Sequence, residues 1–324
     1  MKKIFLVLCL GIIGFSRISL AAGETGEAIT KVKQNAEKIE SETSVDKAEE
    51  AKEEKEEKKK SKLSNPFKKK KVEWELVWRD EFDENKLDTS KWSYWENGNP
   101  WNSGNYLDEN GNLVDQYGFK VKQYYLRDNV KLENGYLVIT VKKEDNKTVK
   151  IDGKDRKILY SSGAVHTKDK FSIHEGKIEM RATMPEGIGT WPAFWTWPED
   201  YSQAVGGPAK EEIDIFEIYG DNLKRVTGTA HALKSDNTYA SFVGSDLRIK
   251  KNEDLTRFNT YAVEWDDKEI KWLFNGRVYK RLSMKKVARS SENTFKLPHF
   301  LMINVALENK TGEDGNIKFP TEMK

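Results

Sequence analysis

Residues 132–141 read Leu-Glu-Asn-Gly-Tyr-Leu-Val-Ile-Thr-Val. Asn134 and Gly135 stand between two β-prone runs, and Asn-Gly is the dipeptide that two-residue hairpin turns favour because both positions need a positive φ. Asn275-Gly276 occupies the same setting between two further β-prone runs. The sequence therefore predicts two β-hairpins.

Five other segments have the composition of strands: residues 176–184, 213–219, 226–233, 261–265 and 300–307. No comparably long stretch has apolar residues at helical spacing, and there is no alternation of strands with helices that would indicate a parallel sheet. We expect an all-β fold, a jelly-roll β-sandwich of two curved antiparallel sheets. The concave face of such a sheet suits an extended polymer.

Composition divides the 324-residue chain into a tail and one core. All ten tryptophans lie between Trp74 and Trp272, whereas residues 23–71 contain one aromatic residue, Phe67, and 26 charged residues. We expect residues 23–71 to form a charged linker or stalk, disordered or partly helical. A short coiled coil or an attachment element for the cell envelope is the alternative.

The N-terminus has the features of an export signal. Lysines at positions 2 and 3 precede an apolar stretch, residues 4–15, that is too short to span a bilayer, and residues 19–22 form a small-residue exit. We expect a signal peptide over residues 1–22, a secreted or envelope-associated protein, and no transmembrane span after cleavage. Cleavage would remove Cys9, the one cysteine, so thiol and disulfide chemistry are excluded.

The expected folded domain, residues 72–324, carries 38 basic and 41 acidic residues. A nucleic-acid-binding protein is expected to be basic, so this mild acidity argues against that class. It also argues against a heavily sulfated substrate. His166, His174 and His299 lack the spacing of zinc ligands, so we expect no catalytic metal.

Residues 211–219 read Glu-Glu-Ile-Asp-Ile-Phe-Glu-Ile-Tyr. In a regular strand Glu212 and Asp214 share a face and Glu217 falls on the other, but a one-residue bulge around residues 215–216 restores Glu217 to the first face. Clustered carboxylates raise at least one pKa. The pattern fits the carboxylate pair of a retaining glycosidase, and a solvated charged strand is the alternative.

The segment from Glu212 to Glu217 resembles the E-[IL]-D-x-x-E signature of glycoside hydrolase family 16 in its bulged, laminarinase-like form. The resemblance extends to further motifs in the family's order: residues 76–82 (LVWRDEF), 87–92 (LDTSKW), 189–195 (GTWPAFW), 227–231 (TGTAH), 261–265 (YAVEW) and 303–306 (INVA). It covers the chain from about residue 74 to its end.

The resemblance implies a role for each carboxylate. Glu212 would be the nucleophile and Glu217 the general acid/base, while Asp214 would tune the proton affinity of the pair. The implied activity is endo-acting, retaining hydrolysis of β-1,3-glucan by a monomer that requires no cofactor for catalysis. Family members often hold a structural calcium, whose ligands this sequence does not identify.

Aromatic side chains would supply the sugar site, because a pyranose ring stacks on indole. The resemblance places Trp191 and Trp195 near the cleft and His231 beside the acid/base, whereas Trp197 fits the cleft or the core equally. Trp95 and Trp101 occupy a loop with Asn, Gly and Pro neighbours, which indicates a surface position with either sugar contact or loop packing. We expect Trp265 and Trp272 in the core.

Two departures from the family pattern leave the substrate open. Glu308-Asn309-Lys310 stands where laminarinases usually carry Gly-Gly, and the chain stops at residues 319–324, where relatives usually continue into a final strand. We expect either that the last strand is missing by truncation or that another segment covers its position in the sheet. The alternatives are a mixed-linkage β-glucanase, a galactanase of the agarase or carrageenase type, a transglycosylase, and a non-catalytic β-glucan-binding module. The presence of both Glu212 and Glu217 disfavours the last.

Overall fold

The structure is a computed structural model, and for residues 3–8 it describes the backbone only. The other described residues are 72–96, 105–114, 121–151, 153–199, 211–233, 239–242, 246–289, 295–308 and 317–324. The chain divides into two compact units. One unit comprises Met1–Ile12 and Trp74–Lys324, and the other comprises Ile13–Glu73. The predicted linker, most of the predicted signal peptide and Trp101 lie outside the described residues.

The described residues form 24 strands. In chain order these are β1 (Lys3–Leu8), β2 (Trp74–Asp80), β3 (Ser93–Tyr94), β4 (Tyr106–Leu107), β5 (Leu113–Val114), β6 (Gln123–Tyr125), β7 (Val130–Glu133), β8 (Tyr136–Lys143), β9 (Thr148–Ile151), β10 (Lys154–Lys157), β11 (Tyr160–Ser162), β12 (Ala164–His166), β13 (Ser172–Ile173), β14 (Gly176–Ala182), β15 (Thr190–Pro198), β16 (Glu211–Glu217), β17 (Arg225–Leu233), β18 (Tyr239–Ser241), β19 (Leu247–Arg248), β20 (Asn259–Trp265), β21 (Glu269–Phe274), β22 (Arg277–Ser283), β23 (His299–Leu307) and β24 (Thr321–Met323). Helix in this part of the chain is confined to α1 (Met284–Val287) and a 3₁₀ turn at Arg127–Asn129.

Two large sheets dominate the architecture. A nine-stranded sheet runs in the order β18-β17-β16-β15-β23-β12-β3, with β19 also paired to β17 and β13 to β23. A six-stranded sheet runs in the order β2-β1-β14-β20-β21-β22. Two smaller sheets have the orders β24-β8-β11-β6, with β7 on β8, and β5-β4-β10-β9. The predicted all-β jelly roll is confirmed.

Both predicted hairpins are present. Asn134 and Gly135 have φ angles of 55° and 76°, and Asn275 and Gly276 have 47° and 73°. These positive values explain why Asn-Gly stands at both turns, since other side chains adopt them at a cost in backbone strain. All five further predicted strands also form, as β14, β16, β17, β20 and β23.

The core is built from the inward-facing side chains of strands in which buried and more exposed residues alternate. In β14, Ile178 and Met180 are fully buried while the intervening residues are half-buried. Phe216 of β16 packs on Tyr261 of β20 with ring centroids 4.6 Å apart. Each such side chain stabilises the fold by about 1.5–3 kcal/mol through apolar burial. Trp265 and Trp272 are buried as predicted, at 3% and 0% exposure.

The two ends of the chain also take part in sheets. Lys3–Leu8, within the predicted signal peptide, pairs in parallel with β2 and β14. Thr321–Met323 pairs with β8 in antiparallel register, Met323 opposite Ile139. Within the described residues, no helix combines the length and the apolar character needed to cross a membrane.

Gly228 of β17 provides a sharp test of the packing. A Cβ at this position would lie 2.2 Å from Cδ1 of the buried Trp272 ring. Because overpacking forces backbone shifts, we expect Gly228→Ala to lower the free energy of unfolding by about 1–3 kcal/mol. Denaturant unfolding measures this, with the exposed Thr148→Ala as control; equal midpoints for the two variants would contradict the packing.

Candidate active site

The catalytic candidates lie on β16, which carries the predicted bulge. Against β17, Asp214 pairs with Thr229 and Glu217 with Thr227, so three steps along β16 oppose two steps along β17. Against β15 the register also shifts between residues 194 and 195. The extra residue turns Glu217 to the same side as Glu212 and Asp214, and the predicted bulge is confirmed.

The three carboxylates line one cavity of about 270 Å³. Its walls come from β15, β16 and β23, from β6 and β12, and from Trp95 and Val121, and they are mainly apolar. The lining residues are Trp95, Val121, Gln123, Tyr125, Ala164, Trp191, Ala193, Trp195, Trp197, Glu212, Asp214, Glu217, Met302, Asn304 and Ala306. The structure therefore brings together the candidates on β16 and three of the predicted tryptophans, Trp191, Trp195 and Trp95.

Burial and mutual repulsion perturb all three carboxylates. Burial, and next the charge of Asp214, raise the pKa of Glu212 well above its usual range. Burial and the charge of Glu217 do the same to the pKa of Asp214. Burial also raises the pKa of Glu217, although His231 and a hydrogen bond from Trp191 oppose the shift. Because close carboxylates cannot all ionise readily, the group retains a proton at pH values where exposed carboxyls have lost theirs.

His231 lies opposite Glu212 in the β16–β17 register. Its Nε2 is 3.2 Å from Oδ2 of Asp214, and its Nδ1 is 2.9 Å from the hydroxyl of Ser241. Ligand atoms of Glu212, Asp214 and His231 all lie within 4.8 Å of one another, close enough to hold a metal ion. The predicted structural calcium far from the cleft has no identified ligands and stays a prediction.

Trp272 and Lys280 act on Asp214 from outside the cavity. The sequence predicted neither of them as a site residue. Trp272 Nε1 donates a hydrogen bond to the backbone oxygen of Asp214 at 2.7 Å. Lys280 lies 4.5 Å from the centroid of the Trp272 ring and donates to the carbonyls of Gly228 and Phe242. Burial lowers the pKa of Lys280 to about 8, against the opposing charges of Asp246 and Asp214. Its charge in turn favours ionised Asp214.

The tryptophan side chains are fixed by hydrogen bonds of their own. Trp191 Nε1 donates to Oε1 of Glu217 at 3.1 Å, and the Trp191 ring stacks on Tyr219 at 5.4 Å. Trp195 Nε1 donates to Oδ1 of Asn304 at 2.8 Å, and Asn304 Nδ2 donates to the Tyr125 hydroxyl at 3.0 Å. Tyr219, Asn304 and Tyr125 were not predicted as site residues.

The surface position predicted for Trp95 is wrong. Trp95 is 4% exposed and lines the cavity, with its ring edge-on to His166 at a centroid distance of 5.2 Å. The loop composition suggested exposure, but the residue packs in a second apolar cluster with Trp197 and Phe300. Trp197, predicted for either cleft or core, is 1% exposed and also lines the cavity.

A second cavity, of about 520 Å³, adjoins the first at Glu217, which lines both. It carries His231 and Tyr219, and it adds the carboxylates of Asp221, Asp246 and Glu308. The charges of Asp246 and Glu308 contribute, after burial, to the raised pKa of Glu217. Glu308, noted in the sequence as a departure from the family pattern, therefore acts on the candidate acid/base.

Glu211, next to the candidate nucleophile, anchors the start of β16. It is 2% exposed and accepts hydrogen bonds from the backbone N–H groups of Phe295 at 2.7 Å and Leu297 at 3.4 Å. His299 Nε2 lies 3.3 Å from the same carboxylate. Strand alternation places Glu211 on the core side with Ile213. This alternation is the feature of the sequence that indicates a buried carboxylate at Glu211, which was not among the predicted site residues.

Truncation of this anchor should be costly. Glu211→Ala would leave the buried N–H of Phe295 and the part-buried N–H of Leu297 without their acceptor, and we expect a loss of about 2–4 kcal/mol in the free energy of unfolding. Urea unfolding measures the loss. Glu133→Ala, which removes an exposed glutamate from β7, should stay within about 0.5 kcal/mol of the parent. A Glu211→Ala protein as stable as this control would show that the anchor is dispensable.

Comparison with known proteins places this site in a family. Residues 119–317 match the sequence profile described as Glycosyl hydrolases family 16. The chain is 30% identical over 267 residues to a beta-glucanase from Rhodothermus marinus, covering 78% of this chain and 84% of the relative. It is 31% identical to glucan endo-1,3-beta-glucosidase A1 from Niallia circulans, covering 72% of this chain and a third (33%) of that longer protein.

The fold agrees with this placement. The laminarinase catalytic domain from Thermotoga maritima superposes with a TM-score of 0.64 at 33% sequence identity, over 77% of this chain and 94% of that domain. The profile match covers more than half of the chain. In the structure, the three carboxylates of β16 line one cavity. The chain belongs to family 16 of the glycosyl hydrolases and is a laminarinase-like glycosidase.

Proposed function

We propose that this glycosidase is an endo-acting, retaining enzyme that cleaves β-1,3-linked glucan. The observation that carries the proposal is the bulge in β16, which places Glu212 and Glu217 in one tryptophan-lined cavity with raised pKa values. Two carboxyl groups on either side of a glycosidic bond are the minimum that double displacement requires.

In the first step Glu217 donates its proton to the leaving glycosidic oxygen while the Glu212 carboxylate attacks the anomeric carbon. The carbon–oxygen bond to the leaving sugar breaks, and a glycosyl ester to Glu212 forms. Glu217, now a carboxylate, accepts a proton from water, whose oxygen attacks the same carbon and releases Glu212. The three interacting carboxylates together retain a proton, and the first step requires that proton on Glu217.

Asp214 and Trp191 prepare this pair. Asp214 lies between the two glutamates on the strand, and its charge raises the pKa of Glu212. Because the three groups interact strongly, a proton lost by one lowers the acidity of the others, which suits a cycle in which Glu217 alternates between acid and base. Trp191 orients Glu217 through its indole N–H.

The β-1,3 linkage is supported by the relatives of the chain, and sugar binding is supported by the cleft. The Niallia circulans relative is an endo-1,3-beta-glucosidase and the Thermotoga maritima domain is a laminarinase. The cavity wall offers the half-buried rings of Trp191 and Trp195, on which the apolar face of a glucose unit would stack. Mixed-linkage glucan and galactans remain the alternative substrates, and we further propose that the enzyme is exported and monomeric.

Replacement of the nucleophile separates catalysis from folding. We expect Glu212→Gln to abolish the release of reducing ends from laminarin, because an amide cannot form the glycosyl ester. The unfolding midpoint should not fall, since the change removes one charge from a crowded group of carboxylates. Calorimetry of laminarin oligosaccharides should show binding retained. Full turnover in this variant would refute the assignment.

The same assay, run on laminarin, lichenan, agarose and carrageenan, decides the substrate. Release from laminarin alone supports the β-1,3 assignment, and release from lichenan or a galactan replaces it with one of the alternatives. Products longer than the starting oligosaccharide would indicate transglycosylation. Exposed Glu133→Gln is the matched control and should equal the parent on every substrate.

Glu308 should contribute to the upper pH limit of activity. Its charge, after burial, helps to raise the pKa of Glu217, so Glu308→Gln should lower that pKa. The acid form of Glu217 is then lost at a lower pH, and the alkaline limb of the kcat/KM profile on laminarin should move toward lower pH. The acid limb should move less. An unchanged alkaline limb, with Glu133→Gln as control, would show that Glu308 does not act on the acid/base.

A further inference from the structure

A third cavity, of about 630 Å³, has an unusual charge. We call it the basic pocket; its lining residues are Asn222, Lys224, Arg225, Asp246, Arg248, Ile249, Lys250 and Lys251. Five of these eight residues are cationic and one is acidic. Residues 72–324 as a whole carry slightly more acidic than basic groups, so the positive charge is a local feature of this cavity.

Most of these cations form no ion pair among the described residues, although the charges of Glu253 and Asp254 act on Lys250 and Lys224. Arg225 binds its one carboxylate, Asp246. In the ranges the structure describes, Lys224, Arg248, Lys250 and Lys251 form no ion pair within 4.0 Å. The neighbouring carboxylate of Glu253 is already engaged by Arg277 and by the backbone N–H of Lys250.

The cations are held together on fixed backbone. Arg225 and Arg248 lie directly opposite each other in the antiparallel β17–β19 pair. Lys250 begins a tight turn in which the Glu253 N–H donates to its carbonyl at 3.0 Å, while its own N–H donates to Glu253 Oε2 at 2.8 Å. Like charges directly across a strand pair destabilise a sheet. Asp246 offsets the charge of Arg225, so Arg248 is the cation of this pair that a bound anion would neutralise.

The basic pocket is continuous with the catalytic cleft. Asn222, Arg225 and Asp246 line both the basic pocket and the cavity that contains Glu217. Next to Glu217 that cavity is acidic, with Asp221, Asp246 and Glu308. A glycan running outward from the catalytic centre would thus pass an acidic stretch suited to a neutral sugar ring and then reach a cationic one suited to an anionic group.

We propose that the basic pocket binds an anionic substituent, a sulfate ester or a carboxylate, on the polysaccharide substrate, outside the position where the bond is cut. The proposal rests on the proposed function, because it extends the substrate of the same cleft. Sparse substitution is required, since an anion beside the catalytic carboxylates would be repelled. The mild acidity of residues 72–324 argues against a heavily sulfated substrate. Binding of a sparsely substituted chain is compatible with that prediction.

The test compares three forms of one backbone: laminarin, sparsely sulfated laminarin and sparsely carboxymethylated laminarin. For the wild-type protein we expect kcat/KM to be about tenfold higher on one or both anionic forms, as several exposed ion pairs of modest strength would give. The advantage should shrink as salt is raised. A gain on both forms indicates recognition of charge, and a gain on one identifies the anion.

The pocket variant combines Lys224→Gln, Arg248→Gln and Lys250→Gln, leaving Arg225 to hold Asp246. Its kcat/KM ratio, anionic over neutral, should fall to about one. The control combines Lys131→Gln, Lys154→Gln and Lys285→Gln, which removes the same charge from exposed positions elsewhere and should keep the wild-type ratio. Equal ratios for the two triple variants would overturn the proposal.

A binding measurement keeps this test independent of the proposed function. In the Glu212→Gln background, calorimetry should show tighter binding of the anionic than of the neutral polymer, and the pocket substitutions should remove the difference. If wild type cleaves laminarin but neither assay shows a preference for the anionic forms, the proposed function stands and the pocket proposal fails. If laminarin is not cleaved, the proposed function fails, and the binding preference alone decides on the pocket.

Discussion

The active site depends on the β-bulge in β16, which gives this strand one residue more than the facing segment of β17. The bulge in β16 lets Glu212, Asp214 and Glu217 face one cavity while Ile213 and Phe216 stay buried in the core. A regular strand cannot satisfy both demands, because its side chains alternate strictly. The apolar residues thus hold the strand in place against the repulsion of its own carboxylates, and the raised pKa values are the chemical product of that constraint.

The residues behind β16 show how the strand is kept in register. Trp272 holds the backbone oxygen of Asp214, Lys280 lies over the Trp272 ring, and Glu211 fastens the strand's first residue to the segment before β23. The buried cation also places a positive charge under the carboxylate cluster. Structure and electrostatics are therefore supplied by the same side chains, so a change in this layer would alter both.

The sequence predicted the parts of this site that local patterns encode. Asn134-Gly135 and Asn275-Gly276 specify their turns through backbone conformation alone, and the bulge follows from the spacing of carboxylates and apolar residues within one strand. Trp95, Lys280 and the basic pocket depend on contacts between distant segments. Trp95 sits in a polar loop yet is buried by residues from β12 and β23, and Lys280 looks like any exposed lysine until β17 is placed over it. No local pattern contains that information.

The hydrogen bond from Trp191 to Glu217 has an optical consequence. An indole N–H that donates to a carboxylate experiences a different electric field from one that faces a neutral carboxylic acid, and the Trp191 ring also stacks on Tyr219. The absorption and emission of this one chromophore therefore depend on where the proton of Glu217 resides. The enzyme carries, within its own catalytic machinery, a spectroscopic reporter of the step that its chemistry turns on.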